Sequence, residues 1–189
     1  MERKKKYEFT GETIEHDGHV LNRIRALIDF DGVKKGDVGG WIETEKNISH
    51  SGNAWVYEDA RVYGNAWVYG DAIVYGNARV YEDARVYGDA EVCGNARVYG
   101  NARVYGNAEV CENAEVYGDA DYTIIKGFGS MFRTTTFFRC RDGLVRVKCG
   151  CFYGTISEFR SKVKSTHDDT KLAKEYLIIA DLMELHFKR

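Results

Sequence analysis

The chain has 189 residues, a formal net charge of -2 and 44% hydrophobic residues, with 20 Gly, 13 Tyr and no Pro. This composition excludes a disordered chain, and the near-neutral charge excludes bulk attraction to nucleic acid. Many glycines and tyrosines without proline favour β-structure with frequent tight turns.

Residues 1–51 predict a β-rich N-terminal cap. The basic start is followed by no apolar stretch, so we expect no secretory signal. No segment approaches the roughly 18 continuous apolar residues that a membrane helix needs. Asp17-Gly18 predicts a hairpin turn, and residues 20–30 alternate as a strand does. Gly39-Gly40 leads into Trp41, which we expect to plug the end of the segment that follows.

Residues 52–123 repeat every six residues, twelve times, without an insertion. The unit reads Gly or Glu, Asn or Asp, Ala, a variable residue, Val, and usually Tyr. Ala and Val share one side of a short strand because side chains alternate with a period of two. We expect this small, uniform pair inside, and Gly with Asn or Asp at the corners, where they tolerate left-handed backbone. The repeat therefore predicts a parallel β-helix.

The spacing of an aliphatic residue and a small residue four positions later resembles the left-handed β-helix of hexapeptide-repeat proteins. The general crossover rule favours the opposite hand, so physics leaves the handedness open. The resemblance implies about four coils of 18 residues with three outward faces. The Trp55 face carries Trp55, Ile73, Glu91 and Glu109, with Tyr57, Tyr75, Cys93 and Cys111. The Arg61 face carries Arg61, Arg79, Arg97 and Glu115, with Tyr63, Tyr81, Tyr99 and Tyr117. The Trp67 face carries Trp67, Arg85, Arg103 and Asp121, with Tyr69, Tyr87 and Tyr105.

Residues 124–189 predict a small α+β C-terminal module. Strand-like runs at 131–139 and 144–148 flank a turn at Arg141-Asp142-Gly143. Thr155 and Glu158 form a helix capping-box pattern, and residues 170–187 have helical periodicity. The module has 13 Lys or Arg against 7 Asp or Glu, whereas the repeat has 5 Arg against 12 acidic residues. A nucleic-acid partner therefore remains open through this basic module.

Two segments outside the repeat carry a family resemblance. The first is Leu21-x-Arg23-Ile24-x-Ala26-Leu27-x-Asp29-Phe30-x-x-Val33-Lys34-x-Gly36-x-x-Gly39-Gly40-Trp41-Ile42. It resembles the N-terminal segment of a bacterial family described as hexapeptide-repeat acetyltransferases. Followed by the Gly-Asn-Ala-x-Val-Tyr repeat, it is also similar to small proteins of phages and prophages. The C-terminal region of this chain is also similar to theirs. The matching residues here are Cys149-Gly-Cys151-Phe-x-Gly-Thr-x-x-Glu158-Phe159, then Thr166-His167 and Glu175-Tyr176. The resemblance implies a phage-linked protein of the host cytoplasm, and brings no established active site.

Acyl transfer and metal binding are the chemical alternatives. Such acyltransferases use a His side chain as general base. Residues 52–123 contain no His, so the candidate base is His50. The competing interpretation is that His50 makes an ordinary hydrogen bond within the cap. The residues Cys140, Cys149, Cys151 and His167 do not follow a known zinc spacing, so we expect buried small hydrophobes there. We therefore assign no catalytic residue, metal or cofactor. Cys93 and Cys111 should stack on adjacent coils without bonding, because an odd total of five Cys favours a reducing compartment.

Outward aromatic and Arg residues carry the functional hypothesis, since these types are enriched at binding hot spots. The predicted binding residues are Trp55, Trp67, Tyr57, Tyr63, Tyr69, Tyr81, Tyr99, Arg61, Arg79, Arg97, Arg85 and Arg103. The competing interpretation is ring stacking between coils with no partner.

The leading hypothesis is a non-enzymatic phage or prophage accessory protein. It would bind a host macromolecule through the faces of the β-helix or the basic module, and inhibit a bacterial defence system such as a CRISPR-type nuclease complex. We expect a host protein or complex as partner, with self-association as a dimer or trimer also open and no membrane contact. The alternatives are a hexapeptide-repeat acyltransferase and a sponge for a nucleotide signal, held between subunits against Arg61, Arg79 and Arg97.

Overall fold

The computed structural model describes residues 5–188, and its N-terminal segment extends one sheet of the coil. Strands β1 (Tyr7–His16) and β2 (His19–Ala26) form the antiparallel hairpin that Asp17-Gly18 predicted. Strand β2 pairs with β3 (Val38–Ile42), and β3 runs parallel to the next strand of the Arg61 face, where Trp41 pairs with Arg61. The hairpin and the coil therefore share a seven-stranded sheet.

The coil consists of eleven two-residue strands in three parallel sheets. Strands β4 to β14 are Trp55–Val56, Arg61–Val62, Trp67–Val68, Ile73–Val74, Arg79–Val80, Arg85–Val86, Glu91–Val92, Arg97–Val98, Arg103–Val104, Glu109–Val110 and Glu115–Val116. Their orders are β13-β10-β7-β4 on the Trp55 face, β3-β5-β8-β11-β14 on the Arg61 face and β12-β9-β6 on the Trp67 face. Within the coil each strand from β4 to β11 pairs in register with the strand 18 residues further on. The solenoid of about four coils is confirmed, and its left hand stays a prediction.

The Ala and Val positions build the core as the alternation predicted. From Ala54 to Val116 these side chains are fully buried or at most 1% exposed. Burying each Val contributes roughly 1.5–3 kcal/mol. At the corners Glu58 and Glu82 replace Gly and adopt left-handed backbone, with φ of 53° and 59°. Their carboxylates accept hydrogen bonds at 2.8 Å from the N–H groups of Gly76 and Gly100, one coil further on. That contact offsets the cost of a non-Gly residue at positive φ.

The twelfth hexad ends the coil. Its Ala120 is exposed, because Asp119–Asp121 form a 3-10 turn and not a strand. Asp121 is buried, and its carboxylate accepts hydrogen bonds at 3.1 Å from the N–H groups of Tyr117 and Gly118. The placement of Asp121 on the Trp67 face was therefore wrong: this repeat matches the pattern but closes the last turn.

The upper end of the coil is closed by Tyr7, Ile24, Ile42, Ile48 and Trp55, which belong to the same buried cluster as the Ala and Val column. Trp41 does not plug this end. In β3 the inward position belongs to Ile42, so Trp41 faces outward and packs with Leu21 and Tyr63. The expectation for Trp41 was therefore wrong by one position in the alternation.

Side chains also satisfy the unpaired carbonyl groups of the first coil. The Lys6 ammonium donates to the carbonyl oxygens of Gly52 at 3.2 Å and Ala54 at 2.7 Å. The buried Asn47 amide donates to the carbonyl oxygens of Gly64 at 3.1 Å and Ala66 at 2.9 Å. An open strand edge invites pairing with another chain, and these two side chains occupy it.

The C-terminal module is a four-stranded antiparallel sheet with two helices. Strands β15 (Tyr122–Ile125), β16 (Thr135–Arg139), β17 (Val145–Cys149) and β18 (Phe152–Thr155) lie in that order. Helix α1 (Ile156–His167) begins with the predicted capping box: the Glu158 N–H donates to the Thr155 hydroxyl at 3.2 Å, and the Thr155 N–H donates to the Glu158 carboxylate at 2.7 Å. Helix α2 (Lys171–Phe187) confirms the second helix, whereas β18 was not predicted.

Strand β16 joins the module to the coil. Phe138 covers the lower end of the Ala and Val core, and its neighbour Phe137 faces the helices. Two cores therefore meet back to back across one strand. Neither helix in the described part of the chain is long and apolar enough to cross a membrane.

Candidate binding face

Two of the predicted binding residues are buried. Trp55 is 1% exposed and packs edge-on against Tyr7 and Phe30, with ring centroids 6.1 and 5.4 Å away. Tyr63 is 4% exposed and lies under the hairpin beside His19. The expectation that both face solvent was wrong, since the N-terminal segment folds over the top of the coil. The hexad pattern contains no information about that segment.

The Arg61 face is partly covered by the tip of the same hairpin. The Asp17 carboxylate accepts a hydrogen bond from the Tyr63 hydroxyl at 3.2 Å and lies 3.8 Å from the Arg79 guanidinium. Arg61 and Arg97 are half-buried. Tyr81 and Tyr99 on this face, and Tyr57 on the Trp55 face, are also half-buried. The Arg column proposed for a nucleotide is therefore only partly accessible.

The tyrosines stack from coil to coil. Ring centroids are 5.1 Å apart for Tyr63 and Tyr81, and 4.9 Å apart for Tyr81 and Tyr99, with nearly parallel planes. Tyr69 stacks on Tyr87 at 4.8 Å in the same way. Stacking of Tyr rings between coils, which we considered as the alternative to a binding role, is therefore confirmed. The stacked rings form a rigid aromatic ladder along each of these two faces.

The Trp67 face presents the most accessible group of the predicted residues. Trp67 is 41% exposed and stacks on Tyr69, with ring centroids 4.1 Å apart. Arg85 and Arg103 are exposed and pair in register on β9 and β12. Tyr105, which the sequence analysis did not select, is 46% exposed at the lower end of the ladder. Its place in the Tyr column was the signal that could have identified it.

Within residues 5–188, the two guanidinium groups of the Trp67 face have no ion-pair partner. Neither Arg85 nor Arg103 forms an ion pair with any residue of the described range 5–188. Burial and the neighbouring Tyr87 raise the pKa of Tyr69, and the two Arg charges oppose that rise. Adjacent strands lie roughly 4.8 Å apart, so the two Arg side chains leave neighbouring backbone positions on this face. An anion that contacts both would pair with two like charges that have no ion-pair partner within residues 5–188.

The lower part of the Trp55 face is acidic and contacts the C-terminal module. Glu109 forms an ion pair with Lys148 at 3.2 Å, and the Tyr75 hydroxyl donates to Glu91 at 3.3 Å. Beside them Cys93 and Cys111 stack on adjacent coils as expected, but they form a disulfide, so the expectation of free thiols was wrong. Their Cα atoms are 4.5 Å apart, within the range that a disulfide spans. Coil spacing thus creates a pairing geometry that an odd cysteine count does not indicate.

His50 has a place in the cap. Its Nδ1 accepts a hydrogen bond from the Lys6 N–H at 3.2 Å, and its ring stacks on Tyr7 at 4.4 Å. Burial lowers the pKa of His50. A ring nitrogen that is already a backbone acceptor is poorly placed to take a substrate proton, so this geometry favours the structural role.

The remaining thiols do not form one cluster. Cys140 is buried, Cys149 is half-buried and Cys151 is exposed, so the expectation of a buried hydrophobe was wrong for Cys151. Cys149, Cys151 and His167 line one cavity of the C-terminal module, and Cys140 is not among the residues around it. Within residues 5–188 no three or more His, Cys, Asp or Glu side chains are grouped to hold a metal ion.

Comparison with known protein families gives a match to the coil and to no other part of the chain. The YdcK Beta solenoid repeat matches residues 60–76, 74–88, 90–106 and 96–112. These matches lie within the coil and include neither the N-terminal strands nor the C-terminal module. No curated protein matches the chain. The comparison supports a repeat-based β-solenoid protein and carries no activity with it.

Proposed function

We propose that the protein is a non-catalytic binding protein whose Trp67 face docks on an acidic surface patch of a partner protein. The observation that carries this proposal is the pair of exposed guanidinium groups of Arg85 and Arg103, which no described residue pairs with, beside an aromatic ladder whose end members Trp67 and Tyr105 are exposed. Trp, Tyr and Arg are the residue types that dominate binding energy at protein interfaces.

The rigidity of this face favours binding. The ring of Tyr69 stacks on Trp67 at 4.1 Å and on Tyr87 at 4.8 Å. Each strand of this face is also hydrogen-bonded to one or two neighbouring strands of its sheet. A preorganised surface loses little side-chain entropy when a partner docks. Guanidinium groups also form paired hydrogen bonds with carboxylates, so a partner with two neighbouring acidic side chains fits best.

A protein patch fits this face better than a nucleic acid does. The repeat as a whole carries 12 acidic residues against 5 Arg. At the corners Asp71 and Asp83 are exposed next to the Trp67 face. A long polyanion would pass these carboxylates and be repelled, whereas a compact acidic patch can contact the two Arg side chains alone.

The resemblance to phage and prophage proteins supports a partner in a bacterial host cell. Under this proposal the rod occupies the partner's surface and blocks a defence complex, such as a nuclease, by steric exclusion. This requires no chemistry on the Trp67 face, whose side chains supply no obvious nucleophile or general base.

Affinity purification from bacterial lysate tests the proposal with matched variants. Wild-type protein should retain one host protein in stoichiometric amount, and the retained amount should fall with rising salt. The double variant Arg85→Glu/Arg103→Glu should lose it. Arg97→Glu, at the same hexad position on the Arg61 face, should keep it.

Three results would contradict the proposal. The first is equal retention by wild type and the double variant. The second is nuclease-sensitive capture of nucleic acid with no protein. The third is recovery of the bait alone together with a dimer, detected by sedimentation, that the double variant dissociates.

A further inference from the structure

The C-terminal module has a partly open cavity on its surface, and no residue of the Trp67 face lines it. It has a volume of about 250 Å³ and lies between helix α1, the turn after β17 and the loop before β16. Its walls are mainly apolar and include Phe152, Phe159, Val163 and the exposed Met131. Small-molecule sites are typically apolar clefts of roughly 300–1,000 Å³ with a few polar groups, so this one suits a small occupant.

Two cations at the rim of the cavity are unpaired. Arg133 and Lys162 both line it, and within residues 5–188 neither the guanidinium of Arg133 nor the ammonium of Lys162 forms an ion pair or donates a hydrogen bond. The module's other described arginines are all engaged. Arg139 contacts Asp121, Arg146 contacts Asp142, and Arg160 contacts both Asp181 and Glu184, while Arg141 donates to a backbone carbonyl. The free charge at Arg133 is therefore an exception within this module.

Tyr176 also lines the cavity and is close enough to Arg133 to feel its charge, but does not neutralise it. Its hydroxyl group donates a hydrogen bond to the Phe128 carbonyl oxygen at 3.4 Å. Burial raises its pKa to about 12, so the phenol stays neutral at physiological pH. The Arg133 guanidinium also lies against the backbone of Gly150, which follows Cys149 of the cavity wall.

The loop at the mouth exposes apolar side chains. Met131 is 66% exposed and Phe132 is 69% exposed. Phe132 adopts left-handed backbone with φ of 51°, which is rare for a bulky residue. Phe132 itself does not line the cavity, but its neighbours in the chain, Met131 and Arg133, both do.

We propose that this cavity binds a small carboxylate with an apolar body. The apolar part lies between Met131 and the aromatic wall, and the carboxylate lies between Arg133 and Lys162. An apolar wall alone would accept a neutral hydrocarbon, and two cations alone would accept any small anion. Their combination at one mouth selects a ligand that has both parts.

Calorimetric titration with octanoate tests this assignment. Octanoate should bind, whereas acetate lacks the apolar body and octanol lacks the charge, so each should bind at least tenfold more weakly. The variant Arg133→Gln/Lys162→Gln should raise the Kd for octanoate about tenfold or more. Lys164→Gln is the matched control, because this exposed residue of α1 does not line the cavity.

Alkylation of the thiols gives a second, independent measurement. Octanoate should slow alkylation of the exposed Cys151, which lines the cavity. Cys140 is the internal reference, since burial raises its pKa to about 11 and keeps it unreactive. Octanol binding as tightly as octanoate, an unchanged Kd in the double variant, or no protection of Cys151 would each overturn the proposal. These results do not depend on the Trp67 face, so the two proposals can fail separately.

Discussion

Replacing Asn47 tests whether the exposed edge of the first coil is held by side chains. Its amide donates to the carbonyl oxygens of Gly64 at 3.1 Å and Ala66 at 2.9 Å, and its oxygen accepts from the Thr44 N–H at 2.8 Å. Ala66 is 1% exposed, and the Asn47 amide is the donor to its buried carbonyl oxygen. An orphaned buried carbonyl costs about 1–3 kcal/mol, and the two partly exposed partners add about 1 kcal/mol together. We therefore expect Asn47→Ala to lower the free energy of unfolding by about 3 kcal/mol.

Urea denaturation followed by circular dichroism measures this loss, and the expected shift in midpoint is about 1 M or more. The variant Asn65→Ala is the matched control, because its side chain makes one exposed contact with Asp83 at 3.1 Å and should cost about 0.5 kcal/mol. Asn47→Asp keeps the size and the acceptor but turns a carboxylate toward two carbonyl oxygens, so it should cost at least as much as Asn47→Ala. Equal losses at positions 47 and 65, or a tolerated Asp at 47, would refute the reasoning.

Three further predictions concern stability and its dependence on pH and redox state. Burial together with neighbouring carboxylates raises the pKa of Tyr75 and Tyr99 to about 12. The contribution of these two phenols to stability should therefore be complete below pH 10 and be lost between pH 10 and 12, as followed by urea midpoints; a contribution that stays constant over that range would contradict this. Burial lowers the pKa of Lys6 from 10.5 to about 8, so the stability of wild type relative to Lys6→Met should rise with pH between 8 and 10.5. A reductant should lower wild-type stability by about 3 kcal/mol through the Cys93–Cys111 disulfide and leave Cys93→Ala unchanged; equal responses of the two proteins would count against a bonded pair.

The coil was predictable because the same six-residue pattern recurs many times in its sequence. Ala and Val alternate with variable and Tyr positions, so the inward and outward sides follow from the strand period alone. The corner glycines and the three faces follow from the same register. The rule failed at Asp121, where the pattern continues in sequence but the chain forms a turn.

The ends were less predictable because their contacts depend on chain segments far apart in sequence. Trp55 and Tyr63 match the outward positions of the repeat, yet the hairpin and the preceding loop cover them. Trp41 was assigned to the core, but the register of β3 gives that place to Ile42. The same limit applies to the candidate site: sequence supplied Trp67, Arg85 and Arg103, whereas their accessibility comes from where the caps fold.

The cavity in the C-terminal module was not predicted for a related reason. Arg133 and Lys162 are 29 positions apart and belong to a loop and a helix. Nothing in the local pattern distinguishes them from the arginines that pair with carboxylates. Only the packing of α1 against the sheet shows which cations are left without a partner.

Photo-crosslinking in bacterial cells tests the central claim most directly. A benzophenone amino acid would replace Tyr105, which is 46% exposed on the Trp67 face, or Tyr117, which is 59% exposed on the Arg61 face. We predict that position 105 forms a crosslink to one host protein and that position 117 does not. A crosslink from position 117 alone, or from neither position, would contradict the assignment of the Trp67 face as the binding surface.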